Sequence, residues 1–254
     1  MIRAVLFDVG GVLHTSEADP NMESYFAEAS IKTLKDQGVD LPVSPGEFIK
    51  IINIRAREYK KHSEADKREL SGPRIWSEFF LRDFDISPET LAPCAEKLCY
   101  LFDARRTRLV PRPNLPRTVE ELHAQGIKLG VVSNIISTTF VPERLKLYNV
   151  ASYMDCVVTS SETGIRKPAP EIFLIAADRL RLSPGECAYV GDRISRDIIG
   201  SHNAGIGLAI LIRYPPSEKK DAAFVCAENE PDYRIDDLGE IPAIIENANR
   251  GDHA

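Results

Sequence analysis

Five short apolar runs recur along the chain, at Ile2–Phe7, Ile127–Ser133, Asp155–Thr159, Cys187–Asp192 and Gly207–Ile212. The first is interrupted only by Arg3, is rich in branched and aromatic side chains, and stops at Asp8 just before Gly10-Gly11. A run without polar alternation has no face to present to water, so it reads as a parallel strand covered on both sides. Helix-period stretches fill the gaps: Thr118–Gln125 closed by Gly126, Glu171–Leu182 preceded by Pro168-Ala169-Pro170, Ile194–Ala204 closed by Gly205, and Gly239–Asn249. Strand alternating with helix predicts the α/β class, a doubly wound parallel sheet with helices on both faces.

Between about residues 16 and 105 the strand signals vanish and only helical ones remain. This predicts an inserted α-helical domain over 16–105, carried by an α/β core made of 1–15 and 106–254. Its helices are expected at 21–37, 45–61, 73–83 and 88–103. Ser44-Pro45-Gly46-Glu47 joins an N-cap serine, a proline at the first helical position and a capping-box glutamate, and Ser87-Pro88-Glu89 nearly repeats it. Gly38 ends the first helix, and Leu109-Val110-Pro111-Arg112-Pro113 reads as a stiff return linker. Trp76, Phe79, Phe80 and Phe84 recur at helical spacing and read first as the core of the insert, second as a wall for a ligand.

The 254 residues carry 32 Lys and Arg against 38 Asp and Glu, a formal charge of -6. No general positive field draws such a chain to phosphate backbones or anionic lipid, so nucleic acid and membrane surfaces are not expected partners. No apolar run approaches the ~18 residues of a membrane span, and the first run is too short for a secretion signal. A cytoplasmic protein, monomeric or homodimeric, is the expectation. The five cysteines are odd in number and lack C-x-x-C pairing, which reads as reduced thiols in or near the core.

Functional groups of an open parallel sheet gather at the carboxyl ends of its strands. The strand-end residues here are Asp8, Ser133-Asn134 and Asp192, and Lys167 stands before a helix in Gly164-Ile165-Arg166-Lys167-Pro168. Four segments in this order, Phe7-Asp8-Val9-Gly10-Gly11-Val12-Leu13, Val132-Ser133-Asn134, Lys167-Pro168 and Gly191-Asp192-Arg193-Ile194-Ser195-Arg196-Asp197, make the chain resemble the haloacid dehalogenase-like hydrolase superfamily. The resemblance covers essentially the whole chain, because the helical segment resembles that superfamily's mobile cap. It implies a Rossmann-like core.

The resemblance further implies attack by the Asp8 carboxylate on phosphorus and hydrolysis of the resulting aspartyl-phosphate. Clustered carboxylates raise one another's pKa, and a Mg²⁺ ion with oxygen ligands relieves this. By resemblance the metal is held by Asp8, Asp192 and the backbone carbonyl of Gly10, with Asp197 supporting the shell mainly through water. Lys167 would neutralise charge on the nucleophile and the phosphoryl group, while the Ser133 hydroxyl and the Asn134 backbone or side chain would donate to its oxygens. A small phosphorylated metabolite, such as a sugar phosphate, is the implied substrate.

One position departs from the pattern. Most phosphatases of the superfamily carry a second Asp two residues after the nucleophile, and this chain has Gly10 there. A glycine carbonyl still binds metal, but no side chain remains to carry a proton, which is typically worth about 10²–10⁴-fold in rate. His14, six residues after Asp8, is the nearest candidate acid/base, and Glu17 a weaker one. Members with D-x-G-[GN]-V in this motif are described as sugar-phosphate phosphatases. A low-activity or purely binding protein is the alternative reading, and a carbon-halide hydrolase ranks third because Asp192 and Asp197 would then lack a cation. A phosphomutase needs the missing Asp, and phosphonate hydrolysis needs a Schiff-base lysine that nothing in the helical segment singles out.

Overall fold

The computed structural model describes residues 1–251. Six parallel strands form one sheet: β1 (Ala4–Phe7), β4 (Lys128–Ser133), β5 (Cys156–Thr159), β6 (Cys187–Gly191), β7 (Leu208–Ile212) and β8 (Tyr233–Ile235). Their spatial order is β5-β4-β1-β6-β7-β8. Strand β1 is central, with Phe7 opposite Val131 on one side and Val190 on the other, and all four of its residues are buried. Because side chains alternate across a strand, Val5 and Phe7 enter one core layer and Ala4 and Leu6 the other. The first layer packs under the helices Leu115–Ala124, Phe140–Leu147 and Ile241–Arg250, the second under Glu171–Leu180. This is the doubly wound α/β sheet expected from the runs, and β1 is where the strand order turns back on itself.

Several elements differ from the sequence reading. Strand β8 is three residues long, too short to stand out as a run. The expected linker pairs instead: β2 (His14–Glu17) and β3 (Arg108–Pro111) form an antiparallel ribbon through which the chain leaves and re-enters the sheet layer. The stretch 73–83 is a short turn of helix followed by π-helical Ile75–Phe80, and 88–103 breaks at Cys94 into Pro88–Leu91 and Ala95–Arg105. Likewise 194–204 begins as π-helical Ile194–Ile198. Four cysteines are buried, but Cys226 is exposed, contrary to the core reading. Among the described residues no helix is long and apolar enough to cross a membrane.

The helices between the two ribbon strands, chiefly Pro20–Lys35, Pro45–Asp66 and Ala95–Arg105, enclose an apolar cluster of their own around Phe26, Phe48, Trp76 and Phe80. The Ser44–Glu47 capping box starts the second of these helices, with the Glu47 side chain accepting from the Ser44 amide at 2.8 Å. Polar ties fasten this layer to the sheet layer, among them the amides of Ile136 and Ser137, which donate to Asp103 Oδ2 at 3.1 and 2.8 Å. Glu69 accepts from Tyr59, from Ser160 at 2.6 Å and from Arg166, while its own amide donates to Gly164 at 3.0 Å. Glu96 accepts from Ser137 Oγ at 2.6 Å and from the amides of Thr138 and Thr139.

His14 sits at the start of the ribbon, 3% exposed, its ring edge-on to Phe140 and Tyr148, with the Tyr148 hydroxyl 3.0 Å from Nδ1. Burial, helped by nearby Arg144, lowers its pKa to about 4. At neutral pH the ring is uncharged among these aromatics, and His14 also lines the cavity that Asp8 and Gly10 line. Glu17 is exposed and paired with Arg108 across the ribbon.

Two measurements follow from this packing. The unfolded chain protonates His14 near pH 6.5 and the folded chain near 4, so the folded state is favoured fully above 6.5 and loses that advantage as pH falls toward 4. The stability of the wild type relative to His14→Gln should therefore fall by about 3 kcal/mol between pH 7 and pH 4 in urea titrations. A constant difference would remove the buried neutral imidazole from the account. At Gly130, inside β4, an added Cβ would lie 2.6 Å from Cys156 Sγ and 2.8 Å from Leu6 Cδ2. Gly130→Ala should thus destabilise by about 1–3 kcal/mol through overpacking.

Candidate active site

Asp8 follows β1 directly and is held there by its amide, which donates to Val190 O at 2.9 Å. The chain then turns sharply, with Gly11 at φ +84°, where a Cβ would lie 2.4 Å from Asp192 Oδ2. Arg112 clamps this turn by donating to the Gly11 carbonyl from Nε at 3.0 Å and Nη2 at 2.6 Å. The two oxygens of Asp8 are in different surroundings. Oδ1 accepts from the Val9 amide at 2.7 Å and Ser133 Oγ at 2.7 Å, and lies 3.0 Å from Lys167 Nζ. The contact at Oδ2 is Arg196 Nη2 at 3.6 Å, which leaves that oxygen free to react.

Lys167 is buried with its Nζ 2.7 Å from Asp197 Oδ1 and 2.6 Å from the Tyr189 hydroxyl. Asp197 Oδ2 accepts from the amides of Asp192 and Arg193, at 3.2 and 3.0 Å, so this carboxylate fixes both the lysine and the loop after β6. Asp192 accepts from Ser217 through Oδ2, and its Oδ1 lies 3.5 Å from Arg196. One oxygen from each of Asp8, Asp192 and Asp197 lies within 4.8 Å of the others, all three residues being buried.

Burial dominates the electrostatics. It pushes the Asp192 carboxyl up to about 7 against the pull of Arg196. Burial acts the same way on Asp197, but Lys167 and Arg196 outweigh it and hold that carboxyl below the usual range. Three carboxylates thus share two cations. A divalent ion with oxygen ligands fits this donor set, and the Gly10 carbonyl belongs to a residue lining the same cavity as Asp8.

Asp8, Gly10, His14, Ser133, Asn134 and Arg196 line one cavity, and beside it Lys167 contacts Asp8, Asp192 contacts Arg196 and Asp197 contacts Lys167. The Asn134 side chain bonds the backbone of Lys167 on both sides, Oδ1 accepting at 2.8 Å and Nδ2 donating at 3.0 Å, which leaves its second Nδ2 hydrogen and its backbone for a ligand. Ser133 donates to Asp8 itself. Four contributors were missed by sequence reasoning: Tyr189, Ser217, Asp221 and the arginine fork of Arg196. Tyr189 faces the site from mid-strand, and Ser217 and Asp221 come from the helix Pro215–Asp221, with Asp221 pairing Arg193 at 2.8 Å. Only the alternation of β6 carries a signal for Tyr189, since its facing places it with Ala4 and Leu6.

The chain as a whole has relatives among known proteins. The chain is 28% identical over 245 residues to glyceraldehyde 3-phosphate phosphatase of Methanopyrus kandleri, covering 96% of this chain and 97% of that protein. It is 27% identical to phosphoglycolate phosphatase of Salmonella typhimurium, covering 96% and 92%. Among solved structures, 2-haloacid dehalogenase of Pseudomonas syringae pv. Tomato superposes with a TM-score of 0.65 at 26% identity, covering 98% of this chain and all of that one. The family model described as haloacid dehalogenase-like hydrolase matches residues 2–205, so with the sheet and its strand-end acids already in place, the chain belongs to the haloacid dehalogenase-like hydrolase family.

Proposed function

We propose that this protein is a Mg²⁺-dependent phosphatase of small phosphorylated metabolites, of the sugar-phosphate kind, working through Asp8. The observation that carries this reading is the asymmetry at Asp8, three donors on Oδ1 and an almost free Oδ2 facing the cavity. The names of the phosphatase relatives support the substrate class. Asp8, Asp192 and the Gly10 carbonyl would hold the metal, with Asp197 behind them. When bound, Mg²⁺ would offset the excess carboxylate charge and polarise the phosphoryl group.

The chain's own groups then divide the work. Asp8 Oδ2 bonds to phosphorus while the ester P–O bond breaks, giving an aspartyl-phosphate and an alkoxide. Lys167 and the Ser133 hydroxyl hold Oδ1 so that Oδ2 points outward, and Lys167 with Arg196 offsets the charge on the transferring group. Water then attacks the phosphorus, the P–O bond to Asp8 breaks, and inorganic phosphate leaves with the carboxylate restored. Gly10 offers no proton to the alkoxide and His14 is neutral, so proton transfer falls to solvent and the turnover is slower than the fold allows. Residues 16–105 serve in this reading as a cap over the cleft, pivoting on the β2/β3 ribbon. Four buried free thiols accord with a reducing, cytoplasmic setting.

Phosphate release from p-nitrophenyl phosphate and a panel of sugar phosphates, with Mg²⁺ added or chelated, tests the proposal. Asp8→Asn should lower kcat by at least about 10³-fold. Tight binding without release would favour the binding-module reading that Gly10 motivates, and halide release from 2-haloacids would favour the dehalogenase reading. A Cβ at Gly10 would meet nothing within 4 Å, so the site has room for the missing side chain. Gly10→Asp should raise kcat toward the about 10²–10⁴-fold that a placed proton donor supplies. An unchanged rate would mean that proton transfer does not limit the enzyme.

A further inference from the structure

The cavity at Asp8, about 190 Å³, does not end at the sheet edge. It shares Asp103, Asn134, Ile135 and Arg196 with a larger cavity of about 370 Å³ that runs beneath the helix Pro45–Asp66. That helix lines the larger cavity with Asn53, Ala56, Arg57 and Lys60, a spacing that puts them on one face. Arg106 reaches the same cavity from the end of Ala95–Arg105, its Nη2 donating to Asn53 Oδ1 at 2.6 Å and its guanidinium lying 4.3 Å from the centre of the Phe102 ring.

Among the described residues neither Arg57 nor Arg106 has an ion-pair partner, although Glu23, which accepts from Asn53 Nδ2 at 3.0 Å, places a carboxylate near Arg106, and Lys60 has one distant contact, Glu64 at 3.6 Å. Arg166, a further lining residue, is already taken by Glu69. Asp103 is the one lining carboxylate among the described residues. It accepts from the amides of Ile136 and Ser137, and burial pushes its carboxyl up to about 8, so it offers little negative charge at neutral pH. A solvated helix face would account for Arg57 and Lys60 alone. It does not account for Arg106, which is half-buried, lies on another element and is bonded to that same face.

We infer that this second compartment reads a second anionic group, so that the preferred substrates are phosphomonoesters carrying a carboxylate or another phosphate at the end remote from Asp8. The inference rests on the phosphatase reading above and narrows its substrate class. The phosphoryl group occupies the smaller compartment, and the remote acid meets Arg57, Lys60 and Arg106 in the larger.

Matched pairs of substrates test it: 2-phosphoglycolate against 2-hydroxyethyl phosphate, and pentane-1,5-diol bisphosphate against its monophosphate. In at least one pair the acid-bearing member should have a kcat/KM higher on the order of tenfold or more, chiefly through KM. The pair that responds identifies the remote acid. Arg106→Gln, and separately Arg57→Gln with Lys60→Gln, should bring that ratio toward one, and Arg106→Lys should restore part of it. Equal values in both pairs, or variants that lower both members alike, overturn the inference while the phosphatase reading stands. Calorimetric binding of the same pairs to Asp8→Asn protein reads the preference without turnover. An inactive wild type whose Asp8→Asn form still prefers the acid-bearing member would overturn only the catalytic reading.

Discussion

A buried ammonium group holds this site together. Lys167 Nζ stands within 3.0 Å of Asp8, Asp197 and the Tyr189 hydroxyl, with no exposure to solvent. Burying a charge is tolerated only when it is paired and hydrogen-bonded, and here each partner needs the lysine as much as it needs them. Without it Asp8 and Asp197 would have no ammonium between them, and Asp197 also accepts from the amides of the loop that presents Asp192. The sheet's two layers are built so that these groups converge, since β1 and β6 are neighbours and the segment carrying Lys167 follows β5 across the same edge.

Much of this was legible in the sequence, for reasons that vary by residue. Strands β1, β4, β5, β6 and β7 read clearly because both their faces are covered, which forces an unbroken apolar run. Strand β8, at the sheet edge, has only Ile235 fully buried and leaves no such run. The ribbon was hidden because His14-Thr15-Ser16-Glu17 is polar and pairs with a proline-containing strand. Asp8, Lys167, Asp192 and Asp197 stand at motif positions and meet in space. What Asn134 does was not legible, because its bonds run to the backbone of a residue 33 positions away. Ser217 and Asp221 carry no local pattern at all, and only the return of the chain after β7 brings them to Asp192 and Arg193.

Gly10 and Arg196 together give this cleft its individual character. The glycine removes a carboxylate from the mouth of the cavity, and Arg196 faces both Asp8 and Asp192 from the opposite wall. The result is a cleft in which two cations partly offset three acids, opening onto a compartment lined by Arg57, Lys60 and Arg106.

The tie between the two layers has a mechanical consequence. Arg166, which grips Glu69 of the helical layer, is bonded through the next peptide to Lys167. Separating the layers there would strip a carboxylate and a guanidinium of each other while both are shielded from water, which makes this contact costly to break. The peptide that carries the guanidinium leads directly to the ammonium at the centre of the sheet, so the anchoring of the outer helices and the placing of that charge rest on neighbouring residues.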